Sequence, residues 1–159
     1  MRDTSYLQAR VEDRACITAL LMRYCNLARD DADWDAIAAL FTPDAKFRLE
    51  DGTGWSRSEI SNVVQGDEAS YIRHHGTTVD IRWDSDPDIA HAETFYLAIT
   101  DEAGLDHWGT WRDTLAKQSD GSWLIADRLV TAEGADPDGW LMRAYAAGPP
   151  SSASEASAS

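Results

Sequence analysis

The sequence predicts an α+β domain in which N-terminal helices pack on a strongly curved, mostly antiparallel sheet. Helix-like spacing of apolar residues is confined to the first 64 or so positions. From about residue 71 onward, apolar and polar residues alternate in runs that short turns separate, which is typical of antiparallel strands. Helices followed by strands indicate the α+β class. A curved sheet wrapped by helices forms a cone with an internal pocket, where we expect a small-molecule site.

Length and charge narrow the classes of partner. The chain has 159 residues, of which 43% are hydrophobic, enough for one domain with a real core. Its formal net charge of −14 argues against nucleic acid and against an anionic membrane surface. No apolar run approaches the roughly 20 residues of a membrane helix. We therefore expect a cytoplasmic protein with a small-molecule substrate.

The predicted domain spans residues 9–147. Residues 1–8 form a loose N-terminus, and the Ser/Ala-rich tail 148–159 is expected to be disordered.

Three helices are predicted in the first part of the chain. An amphipathic helix over about 9–29 has Cys16, Leu20, Tyr24 and Leu27 on one line, beside Ile17, Leu21 and Ala28. Asp33 caps a short second helix that carries Trp34, Ile37, Leu40 and Phe41 and ends at Thr42-Pro43-Asp44. Ser56 to Glu59 is a capping-box pattern that opens a third helix over Ile60, Val63 and Val64, ending at Gly66-Asp67.

The remaining segments alternate as strands do. Strands are predicted over 45–49, 71–83, 89–100, 107–117 and 122–131. Turns are predicted at Asp51-Gly52, around Pro87, over 101–106 and at 119–121, and little regular structure is expected after about Gly134.

Metal and cofactor motifs are not found in the sequence. Cys16 and Cys25 lie too far apart along one helix for a disulfide. There is no CxxC, HExxH, GxGxxG or GxxxxGK pattern. We expect no metal and no cofactor, so the chemistry would come from side chains alone.

Two adjacent histidines begin the strand over 71–83. Strict alternation places His75 on the inward face with Val79 and Ile81. An imidazole that faces a pocket is a natural proton carrier, because its pKa lies near working pH.

Several motifs together resemble one family. They are Tyr24, DDADWD (30–35), LFTPDA (40–45), RHHGTT (73–78), GTWRD (109–113) and GSWLIADR (121–128). This set is similar to the SnoaL-like polyketide cyclases and dehydratases of the cone-shaped, nuclear transport factor two-like superfamily. The resemblance covers about residues 10–132.

The resemblance implies an Asp–His pair in the cone. Asp30 falls at the Asp position, with Asp31 or Asp33 as alternatives, and His74 falls at the His position. Family pattern and alternation thus select different histidines, and a β-bulge near Gly76 would reconcile them.

Further roles follow from the resemblance and from strand position. Tyr24 matches a pocket tyrosine and Arg128 a cavity arginine, although Arg128 can instead pair with an acid. Thr78 stands where many members carry Asn. His75 and His107 are candidate substrate contacts, and His107 a possible second proton donor. Among the seven Trp, the candidate pocket walls are Trp55, Trp83, Trp108, Trp111 and Trp123.

We predict a cofactor-independent cyclase or dehydratase that acts on a small, largely apolar carbonyl or hydroxylated compound, as in secondary metabolism. The catalytic residues would be Asp30, His74 and Tyr24. The alternatives are an isomerase or epoxide hydrolase of the same superfamily, a small-molecule binding protein on the same fold, or a scaffold whose sheet face mediates association. Large apolar residues on both faces of the sheet also predict a homodimer.

Overall fold

A computed structural model describes residues 10–63 and 69–146. The predictions for the N-terminus, for Val64 and the end of the third helix at Gly66-Asp67, and for the tail lie outside the described residues. No helix in these two segments is long and apolar enough to cross a membrane.

The first helix, α1 (Val11–Leu27), confirms the longest predicted element. Ile17, Leu21 and Tyr24 form its buried face. Cys16 was predicted on the apolar side and is exposed, because the buried stripe lies one position further along the helix. Asp33 caps α2 (Trp34–Ala38) as expected, since its carboxylate accepts a hydrogen bond of 2.9 Å from the Ala36 amide.

The second helix is shorter than predicted, because β1 (Phe41–Leu49) begins where the sequence pattern continues the helix. Phe41 pairs with Ile125, and the Ile125 amide donates to the Leu40 carbonyl at 2.9 Å. Pro43 lies in an irregular part of this strand, between the paired residues Phe41 and Lys46. Pairing with a distant strand therefore overrides the local helix signal.

The predicted third helix is a short 3-10 helix (Arg57–Val63) that follows β2 (Gly54–Ser56). Glu59 accepts hydrogen bonds from the Ser56 amide and hydroxyl, as the capping-box pattern indicates.

Four long strands follow: β3 (Ile72–Trp83), β4 (Ile89–Thr100), β5 (His107–Lys117) and β6 (Trp123–Ala135). The six strands form one sheet in the order β2-β1-β6-β5-β4-β3. Every pair is antiparallel except β1 with β6. The predicted α+β class and cone are confirmed.

A bulge in β3 decides which histidine faces inward. Gly76 pairs with Tyr96 and Thr78 with Phe95, so Thr77 is an extra residue in this strand. His74 and Ile81 are seven positions apart, so a regular strand would put them on opposite faces, and the extra residue brings them to the same face. The bulge expected near Gly76 is thus confirmed.

A last helix, α3 (Trp140–Ala146), was not predicted. It follows a turn in which the Asp136 amide donates to the Asp106 carbonyl at 2.7 Å. The helix lies beside the loop that precedes β5 and closes one wall of the cavity between the helices and the sheet.

Candidate active site

A cavity of about 690 Å³ lies between the concave face of the sheet and the helices. This volume suits a ligand of two or three fused rings. Its ionisable and aromatic lining residues are Tyr24, Arg29, Asp30, Trp34, Phe47, Glu50, Asp51, His74, Tyr96, His107, Trp111 and Trp140. Most of the other lining residues are aliphatic, so the walls are largely apolar, and the carboxylates belong to the loops after α1 and β1.

The loop after α1 is tied to the first part of β3. Arg29 forms an isolated antiparallel bridge with Arg73, and Asp31 turns the chain with a positive φ of 55°. Asp and Asn tolerate this left-handed conformation better than most residues. The bridge brings the Ala28 carbonyl to His74 and the Asp30 carboxylate to Arg73.

Asp30 therefore does not make the contact that the resemblance implies. Its carboxylate accepts hydrogen bonds from the Arg73 guanidinium and from the Ile72 amide. The hydrogen bond from Arg73 holds the pKa of Asp30 below its ordinary value. Asp30 lines the cavity, but within the described residues no hydrogen bond joins it to His74. The contact between Asp30 and His74 that the resemblance implies is thus not found among the described residues, and the catalytic role of Asp30 stays a prediction.

His74 is held by a backbone carbonyl instead. Its Nδ1 lies 2.8 Å from the Ala28 oxygen. A carbonyl only accepts, so Nδ1 carries the proton and Nε2 keeps its lone pair. The pKa of His74 is lowered to about 4, chiefly by burial; the charges of His107 and Arg128 act in the same direction, and the hydrogen bond to Ala28 opposes the shift. His74 is therefore a neutral acceptor at neutral pH.

His107 has the carboxylate partner that His74 lacks. The chain places Asp106 directly before it, and His107 Nδ1 lies 2.7 Å from Asp106 Oδ1. Both side chains are almost fully buried. Burial lowers the pKa of His107, while the hydrogen bond and the negative charge of Asp106 oppose that shift. Nδ1–H points to the carboxylate, which leaves the Nε2 lone pair for a ligand.

The two imidazoles are neighbours in the same cavity. Their ring centroids are 5.7 Å apart, and the planes meet at 71°. Within the part of the chain that the structure describes, neither Nε2 atom has a protein partner. Two acceptors of this kind suit a ligand that presents hydroxyl or acidic C–H groups to this end of the cavity.

An aromatic stack forms the adjoining wall. Tyr96 stacks on Trp111 with centroids 4.7 Å apart and planes 13° apart, and Tyr24 meets Trp111 edge-on at 5.2 Å. Burial raises the pKa of Tyr24, although the charge of Arg128 opposes this shift. The Tyr24 hydroxyl is therefore a neutral hydrogen-bond donor at neutral pH. The predicted cavity positions of Tyr24 and Trp111 are found in the structure.

Arg128 lies behind this wall. It is fully buried, makes two hydrogen bonds of 2.7 Å to Asp113, and its guanidinium carbon sits 4.0 Å from the Tyr24 ring centroid. Burial works against its charge, but Asp113 outweighs this effect and raises the pKa of Arg128. Arg128 is not a lining residue, which corrects the prediction that it contacts substrate and favours its alternative, pairing with an acid.

Two further predictions about the lining are corrected. His75 is exposed on the convex side of the sheet, because the bulge lies between it and Val79. Of the five Trp proposed as pocket walls only Trp111 lines the cavity, where it is joined by Trp34 and Trp140. Trp83 and Trp123 pack against each other instead, 6.4 Å apart, and Trp108 is 39% exposed on the convex face.

Asp106, Tyr96 and α3 were missed from the sequence. An Asp directly before the first residue of a strand reads as a loop acid, and its partners on α3 come more than 30 residues later. Tyr96 lies between Phe95 and Leu97, and the alternation of these two apolar residues predicts that their face of the strand, and not that of Tyr96, is buried.

No group of three or more metal-ligating side chains occurs among the residues described.

The curved six-stranded sheet, the covering helices and the cavity between them define the nuclear transport factor two-like class of cone-shaped α+β proteins. The family model for the SnoaL-like domain matches residues 9–129. The chain therefore belongs to the SnoaL-like family.

Solved structures share this fold at low sequence identity. A proposed scytalone dehydratase from Novosphingobium aromaticivorans superposes with a TM-score of 0.70 at 19% identity, covering 82% of this chain and 90% of the other. A nuclear transport factor two-like protein with a cystatin-like fold from the same organism gives 0.67 at 22% identity, with 87% and 96% covered. ActVI-ORFA from Streptomyces coelicolor gives 0.63 at 23% identity, with 76% and 96% covered. Among curated sequences, no significant match is found.

Proposed function

We propose that this protein is a cofactor-independent enzyme of the cyclase or dehydratase type that uses two neutral histidines, one to transfer protons and one to accept a hydrogen bond from the substrate. The observation that carries the proposal is the pair of imidazoles in one aromatic cavity, of which His107 is backed by the buried carboxylate of Asp106. A neutral imidazole beside a carboxylate is an effective general base, because the cation it forms is stabilised where it forms.

In the proposed reaction His107 Nε2 takes a proton from the carbon next to a substrate carbonyl. The C–H electron pair becomes the enolate, and Tyr24 donates a hydrogen bond to its oxygen. His74 Nε2 accepts a hydrogen bond from a substrate hydroxyl and so orients the ring. For dehydration, the C–O bond then breaks and the hydroxyl leaves with the proton from His107 as water. For cyclisation, the enolate carbon attacks a second carbonyl, whose oxygen takes that proton.

The cavity also favours a neutral substrate. The guanidinium groups of Arg73 and Arg128 are each paired with an aspartate, whereas Glu50 and Asp51 add negative charge at the loop after β1. Arg29 is the one cationic side chain among the described lining residues, and it is exposed and outnumbered by three lining carboxylates. Because both histidine rings are neutral as well, a carboxylate or phosphate ligand is disfavoured. Flat aromatic walls of Tyr96 and Trp111 suit a fused-ring compound. Solved relatives of the fold include a proposed scytalone dehydratase, which is consistent with this class.

The test is a panel of neutral bicyclic β-hydroxy ketones in which loss of water extends the conjugated system. Absorbance follows the reaction for the wild-type protein and for the His107→Ala, His74→Ala and His75→Ala variants. We expect at least one compound to lose water, with a rate about 10²–10⁴-fold lower in His107→Ala and unchanged in the exposed control His75→Ala. Equal rates in all variants would refute the proposal.

A ligand-binding protein is the second candidate, and one observation favours it. Asp30 and His74, the pair that the resemblance assigns to catalysis, are not hydrogen-bonded within the described residues. Quenching of tryptophan fluorescence would report binding of the panel compounds. Tight binding without turnover of any compound would favour the binding function. A cytoplasmic location and a secondary-metabolite substrate remain predictions.

A further inference from the structure

The buried carboxylate of Asp106 has four hydrogen-bond donors from three parts of the chain. His107 Nδ1 donates to Oδ1 at 2.7 Å, and Thr100 Oγ1 donates to Oδ2 at 2.9 Å. The amides of Trp140 and Leu141, the first two residues of α3, donate at 2.6 and 3.1 Å. One side chain thus fixes the imidazole of His107 and caps the C-terminal helix.

These donors outweigh the cost of burying a charge. Burial disfavours the ionised form, but the four hydrogen bonds lower the pKa of the Asp106 carboxyl below its ordinary value. Two of the four bonds exist only while α3 lies against the loop. If α3 moved away, water would reach the carboxylate and compete for the donor on His107.

The same helix forms part of the cavity wall. Trp140, Leu141 and Ala144 line the cavity, and the Trp140 ring lies 6.0 Å from the His107 ring. Contact at the start of α3 is close, because a Cβ on Gly139 would come within 2.7 Å of Asp106 Oδ2. Position 139 therefore needs glycine for this approach.

We propose that Asp106 is a positioning residue that couples the hydrogen bond of His107 to the docking of α3. The Nδ1–H group and the orientation of His107 are then fixed only when α3 covers the cavity. This inference rests on the proposed function for its catalytic meaning. The structural coupling itself needs no substrate to be measured.

The experiment follows the imidazole nitrogens and the α3 amides of the full-length chain by NMR. In the wild-type protein both histidines should carry their protons on Nδ1, with slowly exchanging Nδ1–H signals. His74 is the internal control, because its Nδ1 is bound to Ala28 and not to Asp106. Its signal should persist in every variant, which also shows that the fold is intact.

Two variants perturb the contact between Asp106 and α3, one on the side of the carboxylate and one on the side of the helix. Asp106→Asn replaces one acceptor oxygen by an NH₂ group. When this group faces His107 it donates to Nδ1, so the ring proton should move to Nε2. Gly139→Ala leaves the carboxylate unchanged but pushes α3 away from it. There we expect the Trp140 and Leu141 amides to exchange at least tenfold faster and the His107 Nδ1–H signal to be lost to exchange with water. Gly104→Ala is the matched control, because its Cβ would meet nothing within 4 Å.

The coupling is wrong if Gly139→Ala loosens α3 while the His107 signal persists, or if it leaves α3 exchange unchanged. Retention of the Nδ1 proton in Asp106→Asn would also overturn the role of Asp106. Neither result depends on turnover, so a failure here is separable from a failure of the proposed reaction.

Discussion

His74 and His107 share a cavity but differ in how they hold a proton. His74 faces a carbonyl dipole, whereas His107 faces a full negative charge. A cation on His107 is therefore compensated locally, and one on His74 is not. This difference assigns proton transfer to His107 and hydrogen-bond acceptance to His74.

The depressed pKa of His74 predicts a specific dependence of stability on pH. The folded-state pKa is about 4, below the 6.5 of a free imidazole, so the unfolded chain binds a proton first as the pH falls. Stability is complete above about pH 6.5 and declines towards pH 4. The free energy of unfolding should fall by about 1–3 kcal/mol over this range. We expect the lower end, because the His74 ring lines the cavity and keeps some contact with solvent.

Urea unfolding at several pH values measures this effect. His74→Gln should lose less stability than the wild type between pH 7 and pH 4.5, while His91→Gln, on the exposed surface, should behave as the wild type does. Parallel curves for His74→Gln and wild type would show that His74 is not held neutral by burial.

The buried Asp113–Arg128 pair gives a second prediction at this scale. Removal of one partner leaves the other charge buried, so Asp113→Asn should reduce the free energy of unfolding by about 3–5 kcal/mol. Glu93→Gln, which breaks the exposed pair with Arg112, should cost about 1 kcal/mol or less. Similar losses for the two variants in urea unfolding would contradict the burial argument.

Only part of the site follows from residue patterns. Helical spacing placed Tyr24 on the apolar line of the first helix, and family motifs selected His74 over His75. The Asp106–His107 pair could not be found this way, because its partners on α3 arrive through tertiary structure. The Asp30–Arg73 pair was missed for the same reason, since a backbone bridge between distant residues creates it.

At the scale of elements, nonlocal pairing explains most departures from the predicted boundaries. The long strands and helix α1 form where their periodicity predicts them, and the departures within them are local, such as the bulge in β3 and the exposed Cys16. Phe41 joins a strand since Ile125 pairs with it, which no local pattern shows. Helix α3 has only seven residues, too few for a clear periodic signal.

The contact between β5 and β6 requires glycine at position 109. A Cβ there would lie 1.9 Å from the Thr131 carbonyl oxygen, which belongs to backbone and cannot rotate away. Gly109→Ala should therefore lower the free energy of unfolding by about 1–3 kcal/mol, whereas Gly104→Ala in the open loop should have little effect. Equal melting curves for the two variants would mean that β5 and β6 move apart at position 109 without loss of stability.

For the whole molecule, the convex face of the sheet is the expected contact between two copies. Phe95 is 50% exposed and Trp108 39% exposed, and Leu97 pairs with Trp108 between them. Charges on this face are matched in pairs such as Arg112–Glu93 and Arg82–Asp80. A chain of net charge −14 can approach its copy here with little repulsion.

Light scattering at micromolar concentration should thus report roughly 35 kDa, twice the single-chain mass of 17.6 kDa. Phe95→Glu should give a monomer, because it buries a charge in the contact. Val11→Glu, at an exposed position on α1, is the control and should leave the mass unchanged. A wild-type monomer throughout that range would rule out this dimer.

Abstraction of a carbon-bound proton is the central step of the proposed reaction, and it can be measured without complete turnover. NMR follows exchange of the α-protons of 2-tetralone, a neutral bicyclic ketone, with deuterated water. We predict faster exchange with the wild type than in buffer and a fall of about 10²–10⁴-fold in His107→Ala. Asp30→Asn should retain more activity than His107→Ala, and His75→Ala should match the wild type. Exchange no faster than in buffer, or unchanged in His107→Ala, would contradict proton abstraction by His107.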